Sequence, residues 1–215
     1  MAAAPNQDAG KAAPSSHDRI LSSAKQLFAS RGYENTSTVA IARLAGTSES
    51  QLMKHFGSKE GLLEAIFDDG WANLAAHVGE MDQLTSPRQK LRMLLQLMLA
   101  GMDRDPELKQ LLLLEGRRIR KEGQMVMITA GFLQFIRVLD GILAQMRAAH
   151  ELRTDLNIDA LRSALMGMFE GLMRDQLLAA KTGFPSRFAT ADLHQIFDVL
   201  VAALAPSRSE GRSQK

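Results

Sequence analysis

TSTVAIARLAGTSESQLMKHFGSK, residues 36–59, holds two short apolar stripes at helical spacing with a glycine between them. The first helix is expected over about 38–45, where Ile41, Ala42, Leu44 and Ala45 make a small apolar face. Gly46 ends it, because the residue just past a helix often needs a left-handed backbone that glycine adopts cheaply. Ser48 opens the next helix as N-cap, and Gln51 completes an S-x-x-Q capping box that satisfies two orphan backbone donors. Leu52 and Phe56 face inward. Ser50, Gln51, Lys54 and His55 are left facing outward. Two helices of roughly eight residues with a glycine turn describe a helix-turn-helix, whose second helix lies in a DNA major groove. The same pattern also describes a capped core hairpin with a solvated polar face, and pattern alone leaves both readings open.

Upstream, Ile20, Ala24, Leu27 and Phe28 form one stripe of a helix over 16–31, with Gly32 where a C-terminal cap belongs. Residues 1–15 are Ala, Pro, Gly and polar and are expected to be a disordered leader. Downstream, Ser58 caps a helix that starts at Lys59 and runs toward Met81, with Gly70 inside it. Ser86-Pro87-Arg88-Gln89 opens the next as a second capping box with Pro at its first position. Asp105-Pro106 starts a helix through Leu111–Leu114 that ends in Arg117, Arg118, Arg120 and Lys121 before Gly123. That cationic cluster is expected to be a solvated helix end that suits the macrodipole. A long helix over 124–150 carries Phe132, Phe135, Ile136, Leu139, Leu143 and Met146. The last two helices span 158–181 and 190–205, and 206–215 reads as a loose tail. Gly167 and Gly171 stand four apart inside the first of these, where glycine costs roughly 1 kcal/mol, and suggest that another backbone comes close. The apolar faces of this final pair, Leu161, Leu165, Met168, Leu172 and then Leu193, Phe197 and Leu200, fit burial within the chain or against a second copy.

Composition agrees with an all-helical fold. Of 215 residues, 46% are hydrophobic and 5% aromatic. Leu, Ala and Met dominate, and runs of β-branched residues are absent. With no cysteine there is neither a disulfide nor a thiolate metal site. No run approaches the ~18 apolar residues of a membrane span, and the first residues lack a signal-peptide core; a cytoplasmic protein with no membrane partner is expected. A net charge of +2 does not identify a nucleic-acid binder, so DNA affinity must come from local placement of charge. Phosphate-loop, dinucleotide, nucleophile-elbow and H-E-x-x-H motifs are all missing. The histidines at 17, 55, 77, 150 and 194 lack ligand spacing. No enzyme, cofactor or metal is expected.

From Ile20 to Phe67 the chain resembles the N-terminal domain of the TetR family of bacterial transcriptional repressors. The residues that carry the likeness are Ile20, Ala24, Leu27, Phe28, Gly32-Tyr33, Thr36-Ser37, Ile41-Ala42, Ala45-Gly46, Ser48, Leu52, His55-Phe56, Ser58-Lys59-Glu60 and Leu62-Leu63. The resemblance implies a DNA-binding domain over 16–58 and a helical ligand-binding and dimerisation domain over 59–205, about nine helices in all. It implies base readout by Glu49, Ser50, Gln51 and Met53, and phosphate contacts from Thr36, Ser37, Thr38, Lys54, His55 and Lys59. Met53 stands where the family usually has Tyr, Thr47 replaces an apolar residue, and Glu49 adds a negative charge; each should weaken affinity for DNA. Gln51 cannot both close the cap and read a base. The last helical pair is implied to form a four-helix bundle with a second copy through Leu161, Leu165, Gly167, Met168, Gly171, Leu172, Leu193, Phe197 and Leu200. A small apolar or amphipathic inducer is implied among the central helices, near Met98, Met102, Glu115, Phe132, Phe135, Glu170 and Met173. The methionines there can repack around varied shapes, while the acids can orient a ligand or simply pair with arginine. The whole implies a homodimeric repressor on a palindromic operator. An architectural DNA binder of the same fold, or a helical small-molecule binder that leaves DNA alone, are the alternatives.

Overall fold

Side-chain caps set where the helices begin. In the computed structural model, which describes residues 14–185 and 187–206, nine α-helices and one two-stranded hairpin are present among the described residues. The 1–15 leader and the 206–215 tail lie almost wholly outside them. Helices α1 (Ser16–Arg31), α2 (Thr38–Leu44), α3 (Glu49–Phe56) and α4 (Lys59–Val78) open at Ser15, Ser37, Ser48 and Ser58, each of whose hydroxyls accepts a backbone N–H. A 3-10 turn over Gly79–Gln83 extends α4. Then follow α5 (Pro87–Arg104), α6 (Pro106–Leu114), strands β1 (Arg120–Lys121) and β2 (Gln124–Met125), and α7 (Ala130–Ala148), α8 (Ile158–Thr182) and α9 (Thr190–Ala203).

Three local expectations are corrected. Helix α6 stops at Leu114, so the Arg117–Lys121 cluster is not a helix end. Its residues enter a hairpin whose turn residues, Glu122 at φ 51° and Gly123 at φ 83°, both take the left-handed region. Such turns match the twist of paired strands, and here Gly123 serves the turn, not a helix stop. Helix α7 consequently begins at Ala130, not Gln124, where Thr129 accepts from the Phe132 N–H at 3.1 Å. Thirdly, the Ser86 box closes differently. Ser86 caps the Gln89 N–H at 3.4 Å, and a second N-terminal donor, the Arg88 N–H, is taken at 2.8 Å by Glu151 from across the fold.

Two cores divide the molecule, and they do not follow chain order. One gathers Trp71, Leu91, Leu94, Leu95, Met98, Phe135, Leu143, Met146, Phe169 and Met173 from α4, α5, α7 and α8, closed by Leu193, Phe197 and Val201 of α9. The other joins α1–α3 and the first half of α4 (Leu62, Leu63, Ile66, Phe67) to Leu111, Leu112, Ile119 and Val126. Helix α6 and the hairpin therefore pack against the N-terminal unit, although they come some fifty residues later. Lys25 of α1 pairs with Asp105 at 2.5 Å, and Gln110 donates to the Ala29 carbonyl at 2.7 Å.

Leu165, Leu193 and Phe197 are at most 5% exposed and belong to this single chain's core. Side chains so enclosed leave almost no surface for the contact with a second copy that was expected of them. Phe169 and Phe197 stack at 5.9 Å between centroids, joining α8 to α9. Gly167 and Gly171 face open space: a Cβ on either would meet nothing within 4 Å.

Candidate nucleic-acid interface and ligand cavity

The buried side of the α2–α3 pair is Ile41, Ala42, Ala45 and Leu52, all at most 4% exposed. With those four turned inward, helical geometry leaves Glu49, Ser50, Gln51, Met53, Lys54 and His55 exposed on the other face of α3. Gly46, at φ 64°, makes the turn between the two helices. Arg19 of α1 donates to the Ala45 carbonyl at 3.1 Å and braces that turn from behind. Gly61 sets the approach of α3 to α4. A Cβ there would lie 2.2 Å from the Phe56 carbonyl oxygen, so only glycine lets the end of α3 cross the start of α4 so closely.

The individual side chains divide by role. Ser48 accepts from the Gln51 N–H at 3.2 Å, but the side chain of Gln51 makes no hydrogen bond among the described residues. The cap is half a box, and the Gln51 amide is free. Thr38 donates to the Glu49 carboxylate, so the first turn of α2 holds the first residue of α3. Ser37 caps α2 and stays exposed. Thr36 is set apart from the other expected phosphate contacts. It is 2% exposed, and its hydroxyl lies 2.9 Å from the Gly32 carbonyl and 3.2 Å from that of Leu27. Thr36 closes the end of α1 and presents no donor to a ligand.

Cations remain around that face. Arg43 and Lys54 are exposed, and His55 shares a hydrogen bond of 3.2 Å with Ser16. Lys59, in the first turn of α4, sits with its ammonium 4.2 Å from the centroid of Tyr33, a cation–π arrangement. The Tyr33 hydroxyl donates to Glu60 at 2.9 Å. Burial pushes the Tyr33 phenol well above its ordinary range, with the Glu60 carboxylate adding to the shift. Glu60 goes the other way, held below the usual carboxylate range first by its own backbone N–H and then by Tyr33 and Ser58. The Lys59 ammonium stays at a helix N-terminus, where phosphate oxygens are favoured. Tyr33, Gly61 and Arg19 were not among the expected site residues. Their roles depend on contacts between helices that no single-helix pattern displays.

Behind this unit a cavity of about 320 Å³ opens between α4, α5 and α6. Its wall includes Trp71, Leu74, Met98, Met102, Leu108 and Leu112, with His77 and Arg104 also lining it. A smaller one of about 210 Å³ lies between α4 and α7, bordered by Trp71, Leu74 and Phe135. Of the residues expected in a pocket, Met98 and Met102 line the first cavity and Phe135 the second. Phe132 packs on Trp71 at 5.4 Å, and Met173 is wholly buried. Glu115 pairs with Arg118, and Glu170 with Arg117 and Arg174. Those two acids are ion-paired and line neither cavity.

The chain thus carries a braced helix-turn-helix with a polar outer face on an all-helical frame that also encloses a cavity. Residues 20–66 match the family model of the bacterial regulatory proteins of the tetR family. Among similar proteins, the uncharacterized HTH-type transcriptional regulator YvkB of Bacillus subtilis is 40% identical over 55 residues, 26% of this chain and 29% of that protein. The nucleoid occlusion factor SlmA of Vibrio cholerae is 26% identical over 156 residues, 69% of this chain and 76% of that one. In fold, the chain is similar to the transcriptional regulator FadR from Bacillus subtilis, whose structure is a complex with stearoyl-CoA. The TM-score is 0.77 at 18% identity, over 88% of this chain and 100% of that one.

Proposed function

We propose that the protein is a homodimeric transcriptional repressor that binds a palindromic operator and leaves it when a mostly apolar or amphipathic small molecule occupies its helical domain. The observation that carries this reading is the outer face of α3. Its first turn presents Glu49, Ser50 and an uncommitted Gln51, flanked by Arg43, Lys54 and Lys59. Glutamine can pair bidentately with adenine, and glutamate can accept from cytosine. Met53, 41% exposed, offers an apolar contact to a thymine methyl. Ser37, Lys54, His55 and Lys59 fix register on phosphates. Two such faces would sit in successive major grooves about 34–36 Å apart.

A second copy is accommodated by the open strip of Ala160, Ala164, Gly167 and Gly171 on α8, together with exposed Ile196 and Val199 on α9. Leu161, Met168, Leu172 and Leu200, half-buried in one chain, border it. Release follows from the position of the cavity. Leu108 and Leu112 of α6 line it, and α6 is fastened to α1 through Lys25–Asp105 and Gln110–Ala29. A ligand that prefers one spacing of α4 and α6 shifts the population of DNA-competent dimers by its differential affinity and no more. Such a protein works in the cytoplasm and without catalysis or cofactor.

Sequencing the DNA retained by the purified protein tests this directly. A palindrome with half-sites about one helical turn apart is expected. Affinity should fall linearly with salt on logarithmic axes, and Lys59→Ala should weaken all DNA alike and reduce the slope by about one. Affinity indifferent to salt would refute the reading. A second reading, an architectural DNA binder without an inducer, is favoured by the likeness to the nucleoid occlusion factor. It requires many retained sites and no ligand that releases them.

A further inference from the structure

The cavity between α4, α5 and α6 has more room than packing requires. Gly101 stands inside α5, where glycine weakens a helix relative to alanine. A Cβ built on it would meet nothing within 4 Å, so no neighbour demands the glycine. Gly70, across the cavity in α4, is different: a Cβ there would come within 2.5 Å of Leu108, so close packing explains it. What Gly101 leaves open is the cavity itself, about 320 Å³.

Two polar groups in the lining have no partner. Trp71 is 7% exposed, and its indole N–H is buried without an acceptor among the described residues. Arg104, in the last turn of α5, is exposed and has no ion pair or side-chain hydrogen bond among the described residues. The other polar lining groups are engaged. Asp105 pairs with Lys25 and caps the Leu108 N–H, His77 bonds the Asn73 carbonyl at 2.9 Å, and Asn73 donates to Asp69. One uncompensated positive charge at the edge of an apolar space is the pattern that receives an acid with a hydrocarbon tail. A guanidinium matches a carboxylate in shape as well as charge.

We propose that this cavity binds an amphipathic monocarboxylate, its carboxylate on Arg104 and its aliphatic chain along Gly101 toward Trp71. At roughly 30 Å³ for each small group, comparable to a water's share of the liquid, the space holds a chain of about ten carbons. The inference rests on the reading that the helical domain holds the effector, and it adds what the effector is.

Trp71 is the chain's one tryptophan, so its fluorescence reports occupancy. The full chain is titrated with dodecanoate below its micellar concentration, and separately with dodecanol. Saturable change is expected with dodecanoate, more weakly with dodecanol. Arg104→Gln should raise the Kd for dodecanoate about tenfold and leave that for dodecanol within about twofold. Gly101→Leu, which fills the space without a clash, should abolish both responses while the circular dichroism spectrum stays helical. Equal binding of acid and alcohol, or an Arg104→Gln protein that binds dodecanoate as before, overturns the acid while sparing the cavity. Binding of dodecanoyl-CoA without binding of dodecanoate overturns it too, in favour of a thioester. No saturable response to any of the three, or responses that survive Gly101→Leu, overturn the cavity as well.

Discussion

Gln51 and Ser48 illustrate how much a single hydrogen bond settles at the residue scale. Both belong to an S-x-x-Q signature, and the signature alone gives Gln51 two incompatible tasks. In the structure Ser48 takes the N3 amide, while the Gln51 side chain makes no hydrogen bond among the described residues. Ser48→Ala should therefore lower stability by about 1 kcal/mol, the usual value of an N-cap. Gln51→Ala should change stability by less than about 0.5 kcal/mol, as exposed positions do, yet relax the preferred base at one operator position. Denaturant unfolding and competition with single-base operator variants measure the two. A Gln51→Ala protein with lost stability and intact preference would return the residue to the cap. Thr36 shows the converse. A threonine beside an N-cap serine reads as one more surface hydroxyl, but it lies 2% exposed against the end of α1. Its burial is set by the path of α1, which local sequence does not display.

Helices α8 and α9 show the same limit at the scale of elements. Periodicity identifies an apolar stripe on each but does not say which of two surfaces receives it. The largest residues, Leu165, Leu193 and Phe197, are inside one chain. Small or moderate ones, Ala160, Ala164, Gly167 and Val199, the last 60% exposed, stay outside. Val199→Glu should leave a folded monomer, while Phe197→Glu should unfold the protein, because a charge cannot be buried unpaired at small cost. Sedimentation and circular dichroism distinguish the cases. A Val199→Glu protein that remains dimeric would remove this strip from the interface. The Arg117–Lys121 segment is a second example. Its charges suit a helix end, yet Ile119 and Val126, 8% and 3% exposed, gain more by packing together on the N-terminal core as a hairpin.

For the whole molecule, the division into cores matters more than the division of the chain. Leu111, Leu112, Ile119 and Val126 share a core with α1–α3, so the N-terminal helical unit is completed by residues that follow α5 in the chain. A fragment ending at residue 85 lacks all four. It should melt without cooperativity, whereas the intact chain should melt sharply; a cooperative transition in the fragment would show that the first helices suffice alone. In the intact protein Leu111→Ala, at a site 1% exposed, should cost about 2–5 kcal/mol. It should also weaken operator binding, although Leu111 is far from α3 in sequence. The same sharing gives the cavity its reach, since α6 forms one of its walls and also part of the shell around α1.

What the sequence determined by itself is whatever depends on neighbours within a turn or two of helix. That covers about nine helices and most of their ends, the caps at Ser48, Ser58 and Ser86, the glycine turn at Gly46, and the outward face of α3 with Ser50, Gln51, Lys54 and His55. These follow from backbone satisfaction and helical period, which are local. The tertiary structure alone decided the assignments that compare one surface with another. It put Thr36 inside, gave the Arg88 N–H at the start of α5 to Glu151, paired Glu115 and Glu170 with arginines, and left Gly101 facing an open cavity. Burial and pairing depend on which distant segments arrive at a surface, and an apolar stripe has the same spacing whichever segment covers it.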